Sequence, residues 1–272
     1  MQPECGPAWW AERFSRQILL PEVGLEGQRR LHAARILVVG AGGLAAPLVG
    51  YLAAAGIGQL DLMDADCVEP SNLPRQTWFA PTDCGQLKVE VLAREVQLRA
   101  PDVILRARPQ RFTPENAVAA LSDVDVVLDA SDNFATRFLL NDACRLARVP
   151  WVHAGVTRFS GIVTTFLPEG PCYRCFFPQP PERGRLPGCA ESGVLGPAVG
   201  IVGAWQALEA LKLCLGHFAA TLAGRVLTLD LWHATQASVT LNADPNCPLC
   251  GDLPEILAVD PREVSYEATR QT

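Results

Sequence analysis

Two Cys-x-x-Cys pairs, Cys172/Cys175 and Cys247/Cys250, stand far apart in the chain. Four thiolates in two such pairs form a tetrahedral zinc set, and a zinc site joining distant segments is structural. The pairing predicts that the C-terminal half returns to a point near residue 172 and is clipped there. Reaction chemistry must then come from other residues. The glycine loop Gly40 to Gly43 and the polar run Ser71-Asn72-Leu73-Pro74-Arg75-Gln76 supply the types it needs.

Gly40-Ala41-Gly42-Gly43-Leu44-Ala45 satisfies the pattern G-x-G-x-x-G/A between an expected strand and an expected helix. Glycines allow a tight turn and close backbone approach, and the helix N-terminus favours an anion there. An acid at the end of the next strand, here Asp64, is placed to hold ribose hydroxyls. This much fits a nicotinamide enzyme and an ATP enzyme equally. Arg75 and Lys88 separate the two. They follow the ribose acid closely in the chain and bring two cations, one a bidentate fork, toward the phosphates. Nucleotidyl transfer needs such charge to offset departing pyrophosphate, whereas hydride transfer has little use for it.

Asp132 lies just past a strand ending at Asp129, where open α/β sheets bind ligands. It suits a Mg2+ partner; equally, Asp132 or Ser131 could cap the helix that follows. Cys189 sits near the start of another helix. It is either a thiol with a depressed pKa, and so a nucleophile, or an ordinary loop cysteine. His32, His153, His217 and His233 show no ligand spacing and no nearby nucleophile, and they are assigned no role.

The elements that position these residues follow from the apolar pattern. Residues 35–40 form a short continuous apolar run, the mark of a buried parallel strand. Residues 44–55 read as a helix that Gly56 caps, and 59–63 as a second strand, giving one βαβ unit. A helix over 88–100, strands at 103–108 and 124–129, and a helix from the Ser131-Asp132-Asn133 turn to 147 continue the alternation. Residues 151–156 and 161–166 are further strands, the second opening an antiparallel section. Residues 10–34 read as one or two amphipathic helices. Residues 176–192, rich in Pro, Gly and charge, read as a long mobile loop. A helix to 215 and a hairpin of 225–232 with 237–241 lead into the second cysteine pair. The expected class is α/β: a Rossmann-like, mostly parallel sheet with helices on both faces, an antiparallel C-terminal extension and a structural zinc site.

Taken in order, Arg13-Phe14-Ser15-Arg16-Gln17, GAGGLAAP from Gly40, DADCVEPSNLPRQ from Asp64, GQLK from Gly85, SDN from Ser131, PCYRC from Pro171, GCAESGVLGP from Gly188 and NCPLC from Asn246 resemble the MoeB/ThiF/HesA family. These are adenylyltransferases related to the ubiquitin-activating enzymes, serving molybdopterin, thiamine and related sulfur pathways. The resemblance runs from residue 13 to 251. It implies that the C-terminal glycine carboxylate of a small ubiquitin-like sulfur carrier attacks the α-phosphate of ATP, giving a carrier acyl-adenylate and pyrophosphate. It also implies roles. Asp64 would hold ribose, Asn72, Arg75 and Lys88 the phosphates, and Asp132 Mg2+, with Gly43, Ser71 and Asn133 beside them in the nucleotide site. Arg16 would reach across a homodimer toward the partner's triphosphate, and the four cysteines would hold Zn2+. Cys189 matches a crossover-loop cysteine that bonds to the activated carrier in some members and is dispensable in others.

Such chemistry needs alignment and charge stabilisation rather than a protein nucleophile, and a carboxylate is already ionised at neutral pH. The chain departs from the family at Ala45 and Ala46, usually a glycine and a small polar residue, and at Pro74, commonly Gln. No sulfurtransferase-like domain follows the zinc cysteines, so a separate sulfur donor is expected.

Net charge of -6 without a basic run argues against a nucleic-acid surface. The N-terminus lacks the charged lead and apolar core of a secretory signal, and the apolar stretch 193–205 is too short and Gly-rich to span a bilayer. A cytoplasmic protein without membrane contact is expected. Ten cysteines in a chain of 272 residues that is 49% hydrophobic fit one metal site and spare thiols better than a disulfide scaffold. One domain is expected, made of a helical arm (1–34), a nucleotide-binding half (35–170), a zinc-clipped carrier-binding half (171–251) and a tail (252–272). Three rivals stand beside this reading: an NAD-dependent oxidoreductase using the same glycine loop, a non-catalytic carrier-binding homologue, and an enzyme adenylating a tRNA-bound carboxylate.

Overall fold

The computed structural model describes residues 7–180, 192–260 and 266. Its frame is an eight-stranded sheet in the order β3-β2-β1-β4-β5-β6-β7-β8. Strand β1 (Arg35–Val39) lies between β2 (Gln59–Met63) and β4 (Val126–Asp129), parallel to both. Strand β3 (Ile104–Arg108) closes one edge, parallel to β2, and β5 (Trp151–Thr157) lies parallel to β4. From there β6 (Ser160–Phe166), β7 (Arg225–Asp230) and β8 (Thr235–Thr240) run antiparallel. The central strands are continuous apolar runs because helices cover both of their faces.

Helices α4 (Ala45–Ala55), α5 (Lys88–Arg99) and α9 (Gly196–Leu215) cover one face, with Leu48, Leu52, Val89, Leu92, Val202 and Leu213 packed on Ile36, Val38 and Leu60. Helices α6 (Pro114–Ala120) and α7 (Phe134–Ala147) cover the other, where Phe138 and Leu140 meet Leu37, Val127 and Trp151. Gly56 ends α4 in the left-handed region at φ 87, as its residue type predicts. By length and composition α9 could cross a membrane. Here it packs on α4 and the sheet, with fully buried Gln206 and Glu209 on its inner face.

Several local readings change. Residues 10–34 hold parts of three short helices, α1 (Pro7–Arg13), α2 (Ser15–Ile18) and α3 (Gly24–Ala33). Pro21 and the left-handed Gly24, φ +57, interrupt the helical path. Helix α6, Pro-Glu-Asn-Ala-Val-Ala-Ala, was not expected, because its small residues carry almost no apolar periodicity. Phe176, read as the start of a loop, ends the short helix α8 (Tyr173–Phe176). Neither Ser131 nor Asp132 caps α7; the Asn133 side chain accepts the Thr136 N–H at 2.9 Å.

Candidate active site

The carboxyl ends of β1, β2 and β4 open into a cavity of about 630 Å3. The glycine turn forms its floor. Gly40 has φ +101, and a side chain there would strike the Ala130 carbonyl oxygen at 2.5 Å, so only glycine lets β1 pass beside β4 and turn. The start of α4 then faces the cavity with Gly42 and Gly43 on its wall.

Every residue expected at the nucleotide site lines this cavity: Gly43, Asp64, Ser71, Asn72, Arg75, Lys88, Asp132 and Asn133. The Asp64 carboxylate accepts the Ala41 N–H at 2.7 Å and the Asp66 N–H at 2.8 Å, which fixes it against the turn. Asn72 is buried, its side-chain oxygen accepting the Glu69 N–H at 3.1 Å and its amide donating to Ser71 Oγ at 3.3 Å. Arg75 is tied back to the Ser71 carbonyl at 2.8 Å. Lys88 is buried at the start of α5 and donates to Asp66 Oδ2 at 3.3 Å. Asp132 is exposed, and no hydrogen bond or ion pair engages it among the described residues.

Two cations on the wall were not anticipated. Arg111 follows β3 and donates to Asp66 Oδ1 at 3.2 Å. Arg137, one turn into α7, stacks its guanidinium on Phe134 at 5.1 Å. The signal for Arg111 was its place just beyond a parallel strand, where ligands collect. Arg16 is exposed on α2 and does not line the cavity. Cys189 lies outside the described residues. Ala45 and Ala46 are buried, and the Ala46 carbonyl accepts the Trp78 indole N–H.

Below the wall sits a buried polar cluster that the sequence did not suggest. Asp129 and His153 are neighbours across the β4–β5 register, both fully enclosed, with Nδ1 and Oδ2 at 2.7 Å. Burial pushes the imidazole down, against the pull of Asp129. Burial alone would raise the Asp129 carboxyl; the His153 hydrogen bond, the Arg137 charge and Ser131 outweigh it and hold it low. The pair is therefore aspartate with neutral histidine. An unfolded imidazole takes up a proton near its ordinary pKa of about 6.5, while the folded one resists until lower pH. Protons therefore favour unfolding across that window. Thermal melts should show Tm falling as pH drops from about 7 toward 5. His153→Asn, which cannot titrate, should flatten that slope.

The four cysteines converge on the far side of α7. Sγ distances are 3.6 Å for Cys172–Cys247, 3.4 Å for Cys175–Cys250 and 3.4 Å for Cys172–Cys250, and all four sulfurs lie within 4.8 Å of one another. Four sulfurs about 2.3 Å from one zinc stand about 3.8 Å apart, so the donor set and spacing fit that ion. Two of the thiols resist ionisation: the Cys250 hydrogen bond, then burial, push Cys172 up, and burial pushes Cys175 up. A bound dication reverses this, since a coordinating thiol is deprotonated. The cluster is wedded to the fold through α8. Asn141 accepts the Tyr173 N–H at 2.8 Å, and Arg174 forks onto Asp142 at 2.8 and 2.7 Å.

A glycine turn, an acid just past the second strand and facing cations at the carboxyl ends of a doubly wound sheet define a nucleotide-binding α/β protein. The chain belongs to the ThiF family, whose model matches residues 14–249. It is 48% identical over 241 residues to the SAMP-activating enzyme E1 of Haloferax volcanii, with 89% of each chain covered. It is 45% identical over 249 residues to the sulfur carrier protein adenylyltransferase of Thermus thermophilus, covering 89% of this chain and 92% of that one. Among solved structures, E. coli MccB with MccA-N7isoASN matches at TM-score 0.77 and 22% identity, over 89% of this chain and 75% of that one. That last likeness is one of fold.

Proposed function

We propose that this chain uses ATP to adenylate the C-terminal glycine carboxylate of a small ubiquitin-like sulfur carrier, activating it for thiocarboxylate formation. The observation that carries the reading is a single cavity wall joining the glycine turn, Asp64, Arg75, Lys88 and Asp132. The two relatives from Haloferax and Thermus are named as an activating enzyme and a carrier adenylyltransferase, which supports the same substrate class.

In this reading Asp64, held by the Ala41 N–H, binds the ribose hydroxyls. The start of α4 at Gly43, with Ser71, Asn72, Arg75 and Lys88, aligns the triphosphate and offsets its charge; Asn133 lines the nucleotide site beside Asp132. A carrier carboxylate oxygen attacks the α-phosphorus. The bond from that phosphorus to the β-bridging oxygen breaks, and pyrophosphate leaves with the electron pair. The attacking group is already anionic, so the protein supplies position and charge rather than a base. Asp132, unpartnered among the described residues, fits a Mg2+ ligand. That ion, when bound, would supply positive charge to offset the triphosphate. Cys172, Cys175, Cys247 and Cys250 hold a structural Zn2+.

Arg16, exposed and outside its own chain's cavity, acts in the partner's site of a homodimer. Residues 35–170 serve the nucleotide and 171–251 the carrier, in a cytoplasmic enzyme that hands its product to a sulfur donor. The oxidoreductase rival has no use for four cations, Arg75, Lys88, Arg111 and Arg137, around one cavity.

The test is to incubate the protein with ATP, Mg2+ and candidate carriers and weigh the products. The expected result is a carrier heavier by one adenylate, with pyrophosphate released. Binding of NAD without binding of ATP would overturn the reading. Carrier binding without any mass change would favour the non-catalytic homologue.

A further inference from the structure

The Asp129 cluster lies under the cavity and is built from both faces of the sheet. On the α7 face, Asp129 Oδ1 accepts the Ser131 N–H at 3.0 Å and the Ser131 hydroxyl, while Oδ2 meets His153 Nδ1 at 2.7 Å and Arg137 Nε at 3.8 Å. Arg137 Nη2 donates to the Ser131 carbonyl at 3.3 Å. From the α9 face, Gln206 Nε2 donates to the carbonyls of Asp129 and Val152 at 2.8 and 3.0 Å. Tyr173 closes the cluster from below, its ring 5.1 Å from that of His153.

A fold alone does not call for this. An apolar filling of the same space is often as stable as a buried charged cluster, or more so. The cluster is also incompletely satisfied, for His153 Nε2, Arg137 Nε and Gln206 Oε1 are buried without hydrogen-bond partners among the described residues. Such groups in a native core call for a reason. Its donors converge on one short stretch. Ser131 is held through its N–H, hydroxyl and carbonyl, and the next residue is Asp132, the exposed carboxylate on the cavity wall.

We propose that Asp129, His153 and Arg137 form a positioning layer that fixes the Ser131–Asn133 turn and so aims Asp132 at the Mg2+–triphosphate. The inference rests on the reading of Asp132 given above. His153 acts through Asp129: its Nδ1–H keeps the carboxylate turned so that both Ser131 donors reach the same oxygen. When that donor is lost, Asp129 rotates toward Arg137, the Ser131 contacts lengthen, and Asp132 loses its fixed place.

Two substitutions separate positioning from packing. The amide nitrogen of asparagine falls where imidazole Nδ1 lies, so His153→Asn keeps a donor for Asp129, whereas His153→Leu fills the space without one. The measurement is calorimetric ATP binding across a Mg2+ titration, with EDTA as the metal-free point. Supporting groups of metal ligands change metal affinity by about 10- to 100-fold. H153L should therefore need about 10-fold more Mg2+ for half of its effect, with metal-free ATP affinity unchanged within about twofold, while H153N stays near wild type. An unchanged Mg2+ midpoint in folded H153L would overturn the proposal. So would a midpoint shifted equally in H153N. If H153L does not fold, Ser131→Ala, which removes one donor to Asp129, decides: a raised midpoint supports the layer and an unchanged one rejects it. Asp132→Ala is the control. If it leaves the Mg2+ effect intact, the reading of Asp132 fails. If it abolishes the effect while H153L behaves as wild type, the positioning layer alone fails.

Discussion

Arg75→Ala is expected to slow carrier-dependent ATP–pyrophosphate exchange by about 10²–10³-fold while moving Tm by no more than about 2 °C. The guanidinium is anchored to the Ser71 carbonyl at 2.8 Å and faces the cavity, so its loss removes charge from the triphosphate without opening the core. Lys88→Ala is expected to slow exchange to a similar degree. Its ammonium is buried against Asp66, which Arg111 also holds. Asp66 therefore keeps one cation, and the fold survives. Exchange retained in either variant, in protein that melts as wild type does, would show that these side chains do not meet the phosphates.

Cys172→Ser is expected to lower zinc content well below one ion per chain and to reduce Tm by about 5–15 °C. A link between distant segments contributes about 2–5 kcal/mol by analogy with a native disulfide, and a domain of this size shifts by about 2–4 °C per kcal/mol. Cys172 is almost fully buried, so a serine hydroxyl there replaces a soft ligand and meets apolar neighbours. The damage should spread along α8 into α7, because Asn141 and Asp142 bind the two residues between Cys172 and Cys175. Unchanged metal stoichiometry and melting would remove the clip. A zinc assay beside a thermal melt reads both quantities.

What could be read from the residues was whatever depends on short spacing. The Cys-x-x-Cys pairs, the glycine turn and the apolar run into Asp64 each carry their geometry within a few positions. The Asp129–His153 contact spans 24 residues and exists only because β4 and β5 lie in parallel register, which no local pattern encodes. Arg111 and Arg137 were hidden for the same reason: each reads as an ordinary surface cation until neighbouring strands bring it to the cavity. The cap of α7 reads in the sequence as Ser131 or Asp132, since both types suit an N-cap, and the adjoining Asn133 is passed over. Helix phase gives the role to Asn133. Helix α6 lacked an apolar stripe, and Thr113, Pro114 and Asn116 mark only its start.

A metal held by the four cysteines would change what kind of polymer the C-terminal half is. With one ion on all four sulfurs, the chain between the two cysteine pairs becomes a ring instead of a free tail. Strand β8 exposes all six of its residues at the sheet edge, so pairing alone retains it weakly. That ring would tether the β7–β8 hairpin on both sides, through α9 before it and the thiolates after it. With the metal bound, fraying of that edge would then be a local opening rather than the first step in loss of the fold.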